Sequence, residues 1–286
     1  MDKFKDTCNE IMRTLFPVED DLQALSRNIY DKLNEKDPSN TYRDIDRVYD
    51  DIKNHNHELL DHLIDAEKNN IEQDVISLSD KLDINFRRDI AYSVMSQGYE
   101  STRHIVDSIN SLEKFRGRMN FSEIKDIYEK SNFRTPKEKA IVDDLMYSFK
   151  DQDEKKELSK KIAELLAASS DEIIYQDMKK HNYDLLDKVT HIETNNSDNP
   201  VAHKLQAIYK RDIANEIGKH GFRPEKKLVS AIYSLEKIHG KRLSMKNIEN
   251  MYKKKMYTSK DEMNLVEEIG KQLKAQEMAI INSPCR

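Results

Sequence analysis

The chain has 286 residues, 37 % hydrophobic and 35 % charged, with a net charge of −5, so it has apolar material for a core and little excess charge to oppose folding. Its 6 glycines and 6 prolines are too few for the turns of a sandwich, barrel or Rossmann fold, and they leave no glycine-rich phosphate loop. No apolar run approaches the roughly 18 residues needed to cross a bilayer.

In chain order, the opening Met1-Asp2-Lys3-Phe4-Lys5 lacks the basic-then-apolar order of a secretory signal. Cys8 and Cys285 are too few for a disulfide framework or a zinc ribbon. The expected location is therefore cytoplasmic, or a host cytosol reached through a signal-independent secretion system. Abundant Asn, Lys and Ile suit an AT-rich genome, which fits an effector of an intracellular bacterium or parasite.

A stripe of Ile45, Val48, Ile52, His55, Leu59 and then His62 or Leu63 steps by three and four, predicting one long helix with a buried face. Arg88-Asp89 is expected to open the fourth helix. Gly98 and Gly117 read as helix C-caps, and Asn120 to Glu123 and Thr135-Pro136-Lys137-Glu138 as helix starts. Ser169 to Glu172 starts another. The stripe Ile174, Met178, His181, Leu185 and then Lys188 or Val189 predicts a second long helix. Arg211-Asp212, Gly221, Gly240 and Ser259 to Glu262 repeat the earlier signals, while Pro38, Pro200 and Pro224 fall at expected boundaries.

These echoes indicate a duplication. Tyr49–Leu63 and Tyr175–Val189 agree at 8 of 15 positions, and Arg88–Lys114 and Arg211–Lys237 at 11 of 27. The expected architecture is all-α, with two tandem pseudo-repeats of about 125 residues in an elongated helical bundle or short solenoid. Residues 1–150 form the first repeat with an N-terminal extension, and residues 151–286 the second.

His55 and His181, each followed by asparagine, lie within the apolar stripes. They are either satisfied core histidines that fix register or groove residues that contact a ligand. His55, His57, Glu58, Asp61 and His62 form the densest group of ligand-type side chains, but HELLD is not H-E-x-x-H. No metal or cofactor is expected, and no catalytic residue is assigned. Arg88-Asp89, Arg211-Asp212, Glu113 and Glu236 read as ion-pair anchors between helices.

Residues 201–260 hold 15 Lys+Arg against 5 Asp+Glu. Lys226, Lys227, Lys241, Arg242, Lys253, Lys254 and Lys255 are the candidate contacts for an anionic membrane or nucleic acid, or simply a solvated face. The first expectation is a helical interaction or adaptor protein that takes a protein partner in a groove along or between the duplicated units. The alternative is an anionic-surface binder. An enzyme using the His55–His62 group or Asp61 and Asp187 ranks below both.

Overall fold

The computed structural model describes residues 21–36, 44–68, 76–168, 170–194 and 201–281. Cys8, Pro38, Ser169, Pro200 and Cys285 lie outside the described residues. Among the described residues there are 13 α-helices and no strand. None of these helices is long and apolar enough to cross a membrane. Two compact units divide between Gln152 and Asp153.

The first unit comprises α1 (Leu22–Lys36), α2 (Ile45–Lys53), α3 (His57–Glu67), α4 (Leu78–Ser96), α5 (Arg103–Arg116), α6 (Phe121–Glu129) and the first half of α7 (Pro136–Leu165). It has two apolar cores, and α4 contributes to both. Leu25, Ile29, Val48, Ile52, Leu59 and Leu63 pack with Leu82 and Phe86 of α4. One helical turn further on, Ile90 and Val94 pack with Ile105, Ile109, Leu112, Ile124, Val142 and Phe149. Each fully buried aliphatic side chain contributes about 1.5–3 kcal/mol.

The second unit comprises the rest of α7, then α8 (Asp171–Lys179), α9 (Tyr183–Thr194), α10 (Val201–Lys219), α11 (Lys226–His239), α12 (Met245–Lys254) and α13 (Lys260–Ile281). Here α10 serves both cores. Leu205, Ile208 and Tyr209 join Leu158, Ile162, Ile174, Met178 and Val189. Ile213 and Ile217 join Leu228, Ile232, Leu235, Ile248, Val266 and Ile269.

Two expectations need correction. Neither histidine stripe is one helix, and the longest helix is instead Pro136–Leu165, of 30 residues. His55 and His181 each adopt a φ of 50°, which no helix interior allows. The His55 N–H donates to Ile52 O at 3.1 Å and the Asn56 N–H to Asp51 O at 2.8 Å. His181 and Asn182 donate likewise to Met178 O and Asp177 O, at 3.1 and 3.0 Å. Such paired bonds make a Schellman ending, with histidine at the position glycine usually takes. The asparagine then starts the next helix: Asn56 Oδ1 accepts from the Glu58 N–H and Asn182 Oδ1 from the Asp184 N–H. The apolar face continues through the corner, which is why periodicity alone reads one helix.

Secondly, Arg88-Asp89 and Arg211-Asp212 do not open helices. Both pairs lie in the second half of 19-residue helices, α4 and α10. Gly117 and Gly240 are C-caps, at φ 78° and 67°, and Gly98 and Gly221 follow helix ends at 82° and 81°. Asn120 and Glu123 form a reciprocal capping box. Thr135 and Ser259 accept the Glu138 and Glu262 N–H groups. The two glutamates are buried and turn to Arg116 and to His239.

Candidate functional site

Each unit ties its histidine corner to α4 or α10 and to the helix that follows. His55 is 1 % exposed, and its Nδ1 lies 2.7 Å from Glu113 Oε2 on α5. The other Glu113 oxygen accepts the Met119 N–H at 3.0 Å. The ring stacks on Phe86 with centroids 4.7 Å apart, and its Nε2 faces Asp89 Oδ2 at 3.5 Å. In the second unit His181 Nδ1 lies 2.7 Å from Glu236 Oε2, whose other oxygen accepts the Leu243 N–H at 2.8 Å. His181 stacks on Tyr209 at 4.5 Å, and its Nε2 is 3.4 Å from Asp212 Oδ2. Burial favours the neutral imidazole. The carboxylates at both nitrogens outweigh it, and both histidine pKa values rise above 6.5.

Beyond this shared plan the two networks differ. Lys155 Nζ donates to both Asp212 oxygens, at 2.9 and 2.8 Å. Burial would raise the Asp212 pKa, but His181 and Lys155 hold it down at about 2. The Tyr183 hydroxyl donates to Glu236 Oε2 at 3.1 Å, and the Tyr209 hydroxyl to Asn182 O at 3.0 Å. Burial and then the neighbouring carboxylates push both phenols above their ordinary range.

In the first unit Phe86 and His57 hold the places that match Tyr209 and Tyr183 in sequence. His57 meets the Phe86 ring edge-on at 5.3 Å, with neither nitrogen hydrogen-bonded and its pKa lowered by burial. His55 Nε2 has no hydrogen bond either, and nor do the buried Asp51 Oδ2 and Asn110 Oδ1. The cation near Asp89 is Arg118, with Nη2 at 3.8 Å, and its Nη1 donates to Lys53 O. The Asp89 side chain is 37 % exposed against 6 % for Asp212. It opens onto a cavity of about 350 Å³ lined also by His55, Arg118, Ile90, Val94 and Ile124.

Glu58, Asp61 and His62 are exposed, whereas His55 is buried. No three His, Cys, Asp or Glu side chains among the described residues are grouped to hold a metal ion. Asp187 is exposed, 3.6 Å from Lys237 Nζ. All seven basic candidates are exposed. Arg242 lies 3.7 Å from Glu216, Lys255 lies 3.3 Å from Glu267, and Lys253 pairs with Glu249. No carboxylate pairs with Lys226, Lys227, Lys241 or Lys254 among the described residues.

A second concavity, of about 600 Å³, lies along α12 and α13. Phe222, Ile248, Tyr252 and Leu273 give it an apolar floor, and Lys246, Lys253 and Lys274 stand at its edge with Glu249 and Glu277. The Tyr252 ring lies against Gly270, where a Cβ would collide with it. Lys274 Nζ sits 4.9 Å from the centre of that ring.

Sequence reasoning singled out both histidines, both aspartates and both glutamates without joining them, and it missed Lys155, Arg118, Phe86 and Tyr209. One signal was available: histidine, aspartate and glutamate recur in the same order in both halves. Comparisons with protein-family models, curated proteins and solved structures return no match.

Proposed function

We propose that the chain is an internally duplicated helical interaction protein whose second unit takes an acidic amphipathic helix of a partner protein along α12 and α13. The duplication is supported by the shared blocks of sequence and by the same His–Glu–Asp arrangement on equivalent helices of both units. The observation that carries the binding role is the apolar concavity edged by Lys246, Lys253 and Lys274, three cations against the two carboxylates Glu249 and Glu277. Its α12 side belongs to a stretch, residues 201–260, with 15 basic side chains against 5 acidic ones. An apolar floor takes the buried face of a helix, and a cationic edge selects an acidic one.

The test uses the full chain and a fluorescent peptide of about 15 residues, with leucines on one helical face and glutamates on the others. Binding in the range of about 1–100 μM is expected. It should weaken at least about tenfold in the double variant Lys246→Glu, Lys274→Glu, and should weaken with added salt. No binding at about 1 mM peptide, or binding indifferent to the double variant, removes this reading. Retention on phosphoinositide vesicles that depends on Lys226, Lys227 and Lys241, without peptide binding, would put the anionic-surface reading in its place.

A further inference from the structure

The two histidine networks are built on one plan, and only one of them is closed. In the second unit Lys155 occupies both Asp212 oxygens, and the Tyr183 and Tyr209 hydroxyls have acceptors. In the first unit the matching aspartate is 37 % exposed against 6 %, no lysine among the described residues covers it, and His55 Nε2 faces it at 3.5 Å. Packing accounts for the closed network. It gives no reason for the open one.

We infer that the cavity formed by His55, Asp89 and Arg118 in the first unit is a binding site for a small zwitterion, an α-amino acid with an apolar side chain. Asp89 presents a carboxylate, which takes an ammonium group. Arg118 presents the guanidinium Nη2 at 3.8 Å from it, which takes a carboxylate. The two ends therefore lie as close together as the two charges of an amino acid. Glu113 and Asp89 flank His55 and favour its protonated form, and Arg118 adds a guanidinium beside Asp89. Glu123 is a third carboxylate of the lining and accepts the Asn120 N–H. A ligand carrying both charges offers a partner to each of the two accessible groups, Asp89 and Arg118, which a lone cation or a lone anion does not. Ile90, Val94 and Ile124 supply the wall for an apolar side chain. A volume of about 350 Å³ is at the small end of ligand pockets. The site is separate from the α12–α13 groove, so either proposal stands without the other.

The experiment is a titration of the full chain with L-leucine, L-methionine and L-phenylalanine, followed by calorimetry and by backbone amide NMR shifts. At least one should bind saturably at or below about 1 mM, with the largest shifts at Asn54, Ser93 and Asn120. Asp89→Asn and Arg118→Gln should each weaken binding at least about tenfold. Ser93→Phe, which fills the cavity without touching a charge, should abolish it, and this keeps the test decisive if Asp89→Asn unfolds. Arg242→Gln in the second unit should change nothing. No saturable binding by any of the three amino acids overturns the inference. So does binding that survives both Arg118→Gln and Ser93→Phe, or n-butylamine binding as tightly as the amino acids.

Discussion

At the residue scale, His55 and His181 accept a conformation that glycine would adopt without strain. The left-handed region costs a side-chain-bearing residue about 1–2 kcal/mol. Both histidines stay there because the ring reaches a buried glutamate that in turn holds the next loop. Replacement of His181 separates the two effects. His181→Ala should cost about 3–5 kcal/mol by leaving Glu236 buried without a cation, while Asp212 keeps Lys155. His181→Gly loses the same contacts and relieves the backbone, so it should unfold about 1 kcal/mol later than the alanine variant. Urea titration of both variants provides the comparison. Equal midpoints would mean that the left-handed turn is not strained.

At the element scale, α12 and α13 meet through Tyr252 and Gly270. The ring lies flat on the second helix only because residue 270 has no side chain. Alanine is the better helix former by about 0.5–1 kcal/mol. Yet its methyl group would collide with the ring, an overpacking cost of about 1–3 kcal/mol. Gly270→Ala should therefore lower the thermal midpoint and weaken the acidic peptide, because the displaced Tyr252 ring enters the groove. A raised midpoint with unchanged peptide binding would show that the ring has room to move. The element scale is also where the histidine stripes mislead. Val48, Ile52, Leu59 and Leu63 are all buried as their spacing predicts, but two helices carry them. A Schellman turn keeps the apolar face in phase, so the break leaves no mark in the periodicity.

At the scale of the whole molecule, the titration of these networks sets how stability depends on pH. The folded pKa values of His55 and His181 lie above 6.5, so their contribution is complete below about 6.5 and is lost as pH rises through the folded values. Asp212 works the other way. Held at about 2, it contributes above its unfolded value of about 3.9 and loses that contribution as pH falls through its folded value. His57, with a lowered pKa, favours its neutral form and partly offsets His55 in the first unit. The unfolding midpoint should be highest between about pH 4.5 and 6.5 and should fall toward pH 8.5. In His181→Asn the alkaline fall should be shallower. A wild-type midpoint that rises from about pH 6 to 8.5 would show the buried rings to be neutral.

The sequence by itself determined the helical class, because so few glycines and prolines cannot supply the turns of a sheet protein. It also determined most helix ends, because Asn120, Thr135, Ser259, Gly117 and Gly240 act through bonds to near neighbours in the chain. The histidines could be placed on the apolar face for the same local reason. Only the tertiary structure decided that Glu113 and Asp89 close on His55 and Glu236 and Asp212 on His181, because those partners come from helices 31 to 58 residues away. It alone decided that Lys155 seals one network while the other opens beside Arg118. Which of two equivalent carboxylates is covered depends on helices packing in three dimensions, and no local spacing encodes that.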